Sequence, residues 1–289
     1  MNPILTSVAI LGGVGLTFAA LIALANRRLR VWEDPRVDTV AGMLPQANCG
    51  GCGFPGCRAF AENVVAGKAQ PAGCTVMDAE GVAAVAAYLG VDAGSAQKRV
   101  ARLLCAGGSD VSAQQAQYRG LASCAAAAAV AGGGKGCPWG CLGLADCAAS
   151  CAFGAIRMSD TGLPVVDPDK CTACGDCVEA CPKGLFTLMP LEHRLLVQCR
   201  NLVAGDEVLD VCRVGCTACG RCVVDAAPGL ISVSSGVAAI DYERIAEADP
   251  AATARCPTGS IVWLEGVQFA KSSGTRAMDA PRLIGSNIA

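Results

Sequence analysis

Aromatic side chains are scarce in this 289-residue chain, which has three Trp, three Tyr and six Phe. Ala, Gly and Cys supply much of the bulk instead, so any packed cores must be small. Histidine occurs once, at His193. A Rieske centre, which needs two histidines on one iron, is thereby excluded, and a solvated side chain is the expected state of His193. Positive charge is not in excess either. The formal net charge is −2, and three of the 23 basic residues, Arg27, Arg28 and Arg30, stand together near the N-terminus. The remainder is more acidic still and offers no basic face to nucleic acid. Nucleotide fingerprints are missing as well. Gly12-Gly13-x-Gly15 lies inside an apolar run, where close helix packing is the simpler reading. Gly132-Gly133-Gly134-Lys135-Gly136 lacks the Gly-x4-Gly-Lys-Ser/Thr frame of a phosphate loop and reads as a linker. Hydride chemistry on a nicotinamide is therefore not expected of this chain itself.

What the chain does contain begins with Ile4–Ala25, a mostly apolar run without a charge. About 20 such residues cross a bilayer. A secretory signal would carry its basic residues before the apolar run, and here they follow it. Basic flanks favour the cytoplasm, so the N-terminus is expected outside and everything after Arg30 inside. A buried core helix is the competing reading of the same run.

Twenty residues are cysteine, most of them in C-x2-C and C-x3-C spacings. Cysteines so close rarely reach across a fold to pair, and metal ligation accounts for them better than disulfides do. Cys171-x2-Cys174-x2-Cys177-x3-Cys181-Pro182 matches the bacterial ferredoxin run. There, three thiolates wrap one 4Fe–4S cubane and the fourth is carried to its neighbour. Cys137-x3-Cys141-x5-Cys147-x3-Cys151 has the same order with longer first gaps, Ala152 in place of the proline, and Phe153-Gly154-Ala155-Ile156 as a ferredoxin-like ending. The crossover rule assigns one cluster to Cys137, Cys141, Cys147 and Cys181, and its partner to Cys171, Cys174, Cys177 and Cys151. Zinc requires no such interleaving.

Two further constellations flank this pair. Cys49, Cys52 and Cys57 lie on a glycine-rich loop, and Cys74 returns after a helical stretch. That spacing alone admits either a cubane or a zinc knuckle. Cys216-x2-Cys219-x2-Cys222 is intact, but Ala226 stands where a fourth cysteine belongs, and Asp241–Ala254 holds none before Cys256-Pro257. The full set for one crossover cluster survives while the other set is erased, so Cys216, Cys219, Cys222 and Cys256 are expected to hold one 4Fe–4S cluster. Cys105, Cys124, Cys199 and Cys212 are left over, as packed thiols or as additional ligands. Of these, Cys212-x3-Cys216 could shift the register of the third site.

The expected fold is α+β: a single transmembrane helix, a small four-cysteine domain, then ferredoxin-like modules. The boundaries read as an anchor at 1–30, the four-cysteine domain at 31–92, a helical and Ala/Gly-rich linker region at 93–136, a two-cluster ferredoxin-like domain at 137–190, a degenerate one-cluster module at 191–265 and a tail at 266–289. The clearest helix starts at an Asp78 N-cap, places Val82, Val85, Ala86 and Leu89 on one stripe, and stops at Gly90. A helical stretch is also expected over Ser95–Leu104, and Ala122–Gly136 is expected to be a loose connection.

The stretch Leu44-Pro45-Gln46-Ala47-Asn48-Cys49-Gly50-Gly51-Cys52-Gly53-Phe54-Pro55-Gly56-Cys57, set behind one anchor and ahead of paired ferredoxin modules, closely resembles the B subunit of the Rnf complex. That family belongs to an ion-pumping ferredoxin–NAD oxidoreductase of bacterial membranes. The resemblance implies a 4Fe–4S cluster on Cys49, Cys52, Cys57 and Cys74, and about four clusters in the chain. It implies an electron-transfer subunit of an oxidoreductase and translocase, with no NAD site or catalytic residue of its own. Its partners would be the other subunits, reduced ferredoxin and the inner membrane, with the body on the cytoplasmic side and no nucleic acid. The alternative is an iron–sulfur subunit of a different membrane redox complex, such as one that reduces a redox-sensing transcription regulator.

Overall fold

The computed structural model describes residues 3–29 and 33–269, with side chains from Ser7 onward. Arg30 of the basic flank and the tail from residue 270 lie outside the described residues. The apolar run forms one helix, α1 (Pro3–Leu29), with Arg27 and Arg28 in its last turn. None of its apolar window is buried, so it is not the core helix of a globular body, and it is long and apolar enough to cross a membrane.

Three helices build the first small core: α2 (Pro35–Met43), α3 (Cys57–Val65) and α4 (Ala79–Leu89). Val40, Phe60, Ala61, Val64 and Val85 are buried at their junction, and Phe54 tilts against Phe60 with ring centroids 5.8 Å apart. The expected caps of α4 are present. The Asp78 carboxylate accepts from the Gly81 N–H at 2.8 Å, and Gly90 takes φ 66°, a left-handed turn that stops the helix.

Two ferredoxin-like units follow, each an outer antiparallel strand pair enclosing an inner hairpin. The first unit begins with β1 (Arg99–Leu103), where a helix was expected. Four of its five residues are buried, and its whole length pairs with a later strand, so tertiary pairing overrides a helical pattern here. The chain then passes through α5 (Cys124–Ala129), α6 (Asp146–Ala149), the hairpin of β2 (Ile156–Met158) and β3 (Pro164–Val166), α7 (Asp176–Glu179) and β4 (Phe186–Pro190), which pairs with β1. The second unit repeats the plan: β5 (Leu195–Val197), α8 (Val208–Val211), α9 (Arg221–Asp225), the hairpin of β6 (Ile231–Ser234) and β7 (Val237–Ile240), α10 (Ala251–Ala254), and β8 (Ile261–Trp263) against β5. Each unit encloses its own apolar cluster, one around Leu103, Leu185 and Phe186, the other around Leu195, Leu230 and Ile231.

Two expectations give way to packing. The tract 122–136 is not a loose connection. Ser123 caps α5, the Asp146 carboxylate accepts from Ser123 Oγ and the Ala125 N–H at 2.9 Å each, and Lys135 is buried with its ammonium on the carbonyls of Gly107 and Cys141. His193 is not freely solvated either. Its ring stacks on Tyr242 at 5.5 Å, and burial pulls its pKa below the ordinary value.

Candidate metal centres

The first centre is built by a capped loop. Asn48, itself at φ 47°, aims Oδ1 at the Cys57 N–H at 2.8 Å, so one side chain starts α3 and sets the third thiol. Gly51 is required by a close approach. A Cβ there would stand 2.6 Å from Thr75 Oγ1 and 3.0 Å from the carbonyl oxygen of Thr172, on the cysteine loop of the next unit. Cys49, Cys52, Cys57 and Cys74 line one cavity of ≈ 320 Å³.

The second cavity, ≈ 330 Å³, is lined by Cys171, Cys174 and Cys177 together with Cys151, the fourth cysteine of the preceding run. The crossover geometry follows from the fold, because α6 and α7 each end by turning a cysteine toward the other half. Cys151 Sγ accepts from the Ala155 N–H at 3.3 Å, and Cys181 Sγ accepts from the Leu185 N–H at 3.4 Å. Thr172 lines the cavity, and the buried Arg102 guanidinium is close enough to Cys171 for their charges to interact. A buried cation beside these thiols suits an anionic group bound there.

The third cavity, ≈ 340 Å³, is lined by Cys216, Cys219, Cys222 and Cys256, the expected set. Burial acts to raise the Cys256 thiol, but hydrogen bonds from the Ile261 N–H, the Ser260 hydroxyl and Thr258 outweigh it and bring it down to about 7. Cys222 in the same cavity goes the other way, pushed up to about 11 by burial and by the charges of Cys216, Cys256 and Cys219.

Cys137 is placed differently from its expected set. It lines a fourth cavity, ≈ 340 Å³, with Cys105, Cys199 and Cys212. Cys141, Cys147 and Cys181 remain by the first unit's core. Burial pushes Cys147 up to about 11, helped by the charges of Cys124 and Cys181. Burial likewise lifts Cys141, Cys177 and Cys212 to about 12 each. Such thiols keep their protons unless a metal takes the sulfur, so ligation here releases protons. Among the described residues, no group of three or more His, Cys, Asp or Glu is arranged around a single ion. Four thiols around a void suit a cubane, whereas zinc draws sulfurs to about 2.3 Å from one point.

Sequence reasoning missed the company kept by Cys105, Cys124, Cys199 and Cys212. One signal was available: Cys137-x3-Cys141 and Cys212-x3-Cys216 have the same spacing in the two units.

Comparison with known proteins agrees with this chemistry. A family model described as "Putative Fe-S cluster" matches residues 44–76, and one described as "4Fe-4S binding domain" matches 163–186. The B subunit of a Na(+)-translocating ferredoxin:NAD(+) oxidoreductase complex from Acetobacterium woodii is 44% identical, over 94% of this chain and 81% of the relative. The chain belongs to the family of Rnf complex B subunits. The B subunit of a proton-translocating complex of the same kind from Clostridium ljungdahlii is 38% identical over 90% of the chain and 93% of the relative. The B subunit of an ion-translocating oxidoreductase complex from Methanosarcina acetivorans is 36% identical over 89% and 97%. As an Rnf B subunit the chain has 4Fe–4S clusters as its cofactor, and the thiol quartets, the N–H donors on sulfur and the buried cation beside Cys171 fit that group.

Proposed function

We propose that the chain is the iron–sulfur electron carrier of a membrane-bound, ion-translocating ferredoxin:NAD(+) oxidoreductase complex. When bound, each 4Fe–4S cluster supplies reversible one-electron carriage. Cys49, Cys52, Cys57 and Cys74 hold one cluster. Cys171, Cys174, Cys177 and Cys151 hold a second, and Cys216, Cys219, Cys222 and Cys256 another. Cys141, Cys147 and Cys181 contribute to one more. The thiolates fix position, while backbone N–H donors, burial and the buried cations Arg102 and Lys135 tune each potential. The single observation that carries this reading is the crossover cavity, where Cys151 completes the trio of Cys171, Cys174 and Cys177 from a different run.

The body faces the cytoplasm, because Arg27 and Arg28 close the apolar helix and no basic residue opens it. Reduced ferredoxin exchanges electrons with this body, the other subunits receive or deliver them, and hydride transfer with NAD takes place elsewhere in the complex. The test is metal analysis of the full chain purified anaerobically in detergent. Iron and acid-labile sulfide in equal amounts, with negligible zinc, is the expected result; stoichiometric zinc without sulfide overturns the proposal.

A further inference from the structure

The two ferredoxin-like units share a repeat deeper than their strands. In the run from Cys171, the third and fifth positions, Ala173 and Gly175, have positive φ. The same two positions counted from Cys216 are Ala218 and Gly220, and counted from Cys141 they are Gly143 and Ala145, all with positive φ. Cys141 is therefore the first cysteine of its run, Cys147 the third and Cys151 the fourth, and Leu144 occupies the second. That half of the first unit lacks one thiol, and Cys137 is an extra residue ahead of the run, as Cys212 is ahead of Cys216.

The same symmetry pairs Cys105 with Cys199. Each stands just beyond the first strand of its unit, and each sulfur accepts a backbone N–H at 3.4 Å from the first cysteine of its run, Cys141 and Cys216 respectively. We propose that Cys105, Cys137, Cys199 and Cys212 form a further 4Fe–4S site on the seam between the units, and that Cys124 supplies the missing thiol beside Cys141, Cys147 and Cys181.

Four observations carry the seam site. The four thiols line one cavity, as the Cys216 quartet lines its own. Gly107 makes the floor close-fitting: a Cβ there would meet Cys212 Sγ at 3.1 Å and Cys105 Sγ at 3.6 Å. Polar donors surround the sulfurs, including Asn201 Nδ2 at 3.7 Å from Cys137 Sγ. Lys135 lines the same cavity, buried, with carbonyls as its hydrogen-bond partners and no carboxylate paired with it among the described residues, and such an ammonium calls for negative charge nearby. The seam itself is knit by backbone, with the Ala106 N–H on Gln198 O at 3.0 Å and the Arg213 N–H on Val111 O at 3.0 Å.

For Cys124, the carboxylate of Asp146 accepts from the start of α5 and so ties that cysteine to the residue before Cys147. Every cysteine of the chain then falls into a quartet. The quartets also form a line: the Cys49 loop touches Thr172 through Gly51, the first unit holds two sites by crossover, and the seam site abuts Cys141 on one side and Cys216 on the other.

This inference rests on the proposed function and refines it, and the test separates the two. The full chain, prepared anaerobically, is expected to contain about 20 irons, as five cubanes require. About 16 irons with normal sulfide overturns the seam site and leaves the electron-carrier reading standing; zinc in place of iron overturns both. Cys137→Ser, Cys199→Ser and Cys212→Ser are each expected to alter one and the same paramagnetic signal of the reduced protein, and Cys124→Ser a different one. Serine retains an oxygen donor, so the variants keep a ligand and a fold in which a shifted signal can be read. If Cys137→Ser and Cys124→Ser perturb the same signal while Cys199→Ser perturbs none, the assignment is wrong.

Discussion

Single residues do three jobs around the sulfurs: they ligate, they donate, or they place a charge. Cys151 lines the cavity of Cys171, Cys174 and Cys177, away from its own run, and is proposed to ligate there. Cys151→Ala is therefore expected to remove about four irons and the same resonance signal that Cys174→Ala removes, although Cys151 neighbours Cys147 in sequence. Loss of a signal shared with Cys147→Ala instead would contradict the crossover. Lys135 places a charge, with its ammonium on Gly107 O and on Cys141 O at 2.6 Å. Replacing it by Gln removes a cation that favours the reduced, more negative cluster. The potential of the most affected cluster should fall by some tens of mV, where about 59 mV is a tenfold change for one electron. A potentiometric titration followed by resonance spectroscopy reads this, and an unchanged set of potentials would remove Lys135 from the tuning groups.

At the scale of elements, short helices are held by side chains from elsewhere, and here the sequence was least transparent. The gathering of the ferredoxin run and of the Asn48–Cys57 loop was legible because their cysteines lie within a few residues of one another, as was α4, whose cap and stop are local. β1 was not legible, because what makes Arg99–Leu103 a strand is its partner β4, far along the chain. Cys105 and Cys199 lie just past paired strands, so their meeting depends on two hairpin-like units docking and leaves no local spacing to read. Cys124 sits in an alanine-rich tract with the composition of a linker, and only the Asp146 carboxylate reveals its docking.

That contact has a definite pH dependence. Burial opposes the Asp146 carboxylate, but hydrogen bonds from the N–H groups of Ala125 and Cys124 and from Ser123 Oγ outweigh it, so its pKa is lowered on folding. A lowered acid contributes stability above its unfolded value of about 3.9 and loses it as pH falls through the lower folded value. Asp146→Asn should weaken the start of α5 by about 1 kcal/mol at neutral pH, in the range of a lost helix cap. The cost should shrink below about pH 4. Chemical denaturation of the wild type and variant at both pH values measures it, and an equal deficit at both would show that the charge is not what matters.

As a whole molecule, the chain has three small cores, each of aliphatic side chains with cysteines packed in or against it, which is how it folds with six Phe and three Trp. The apolar helix α1 presents its surface outward and ends in Arg27 and Arg28. A cysteine introduced at Asn2 should react with an impermeant thiol reagent on intact cells, and one introduced at Glu33 should not. The reverse pattern would invert the topology. The most direct test of the central claim, that this chain carries electrons on cysteine-bound clusters, is anaerobic mixing of the full chain with reduced ferredoxin while its visible iron–sulfur absorption is followed. Rapid bleaching that accounts for several electrons per chain, and that is diminished in Cys49→Ala or Cys256→Ala, is predicted; an iron-loaded chain whose absorption ferredoxin leaves unchanged would contradict the account.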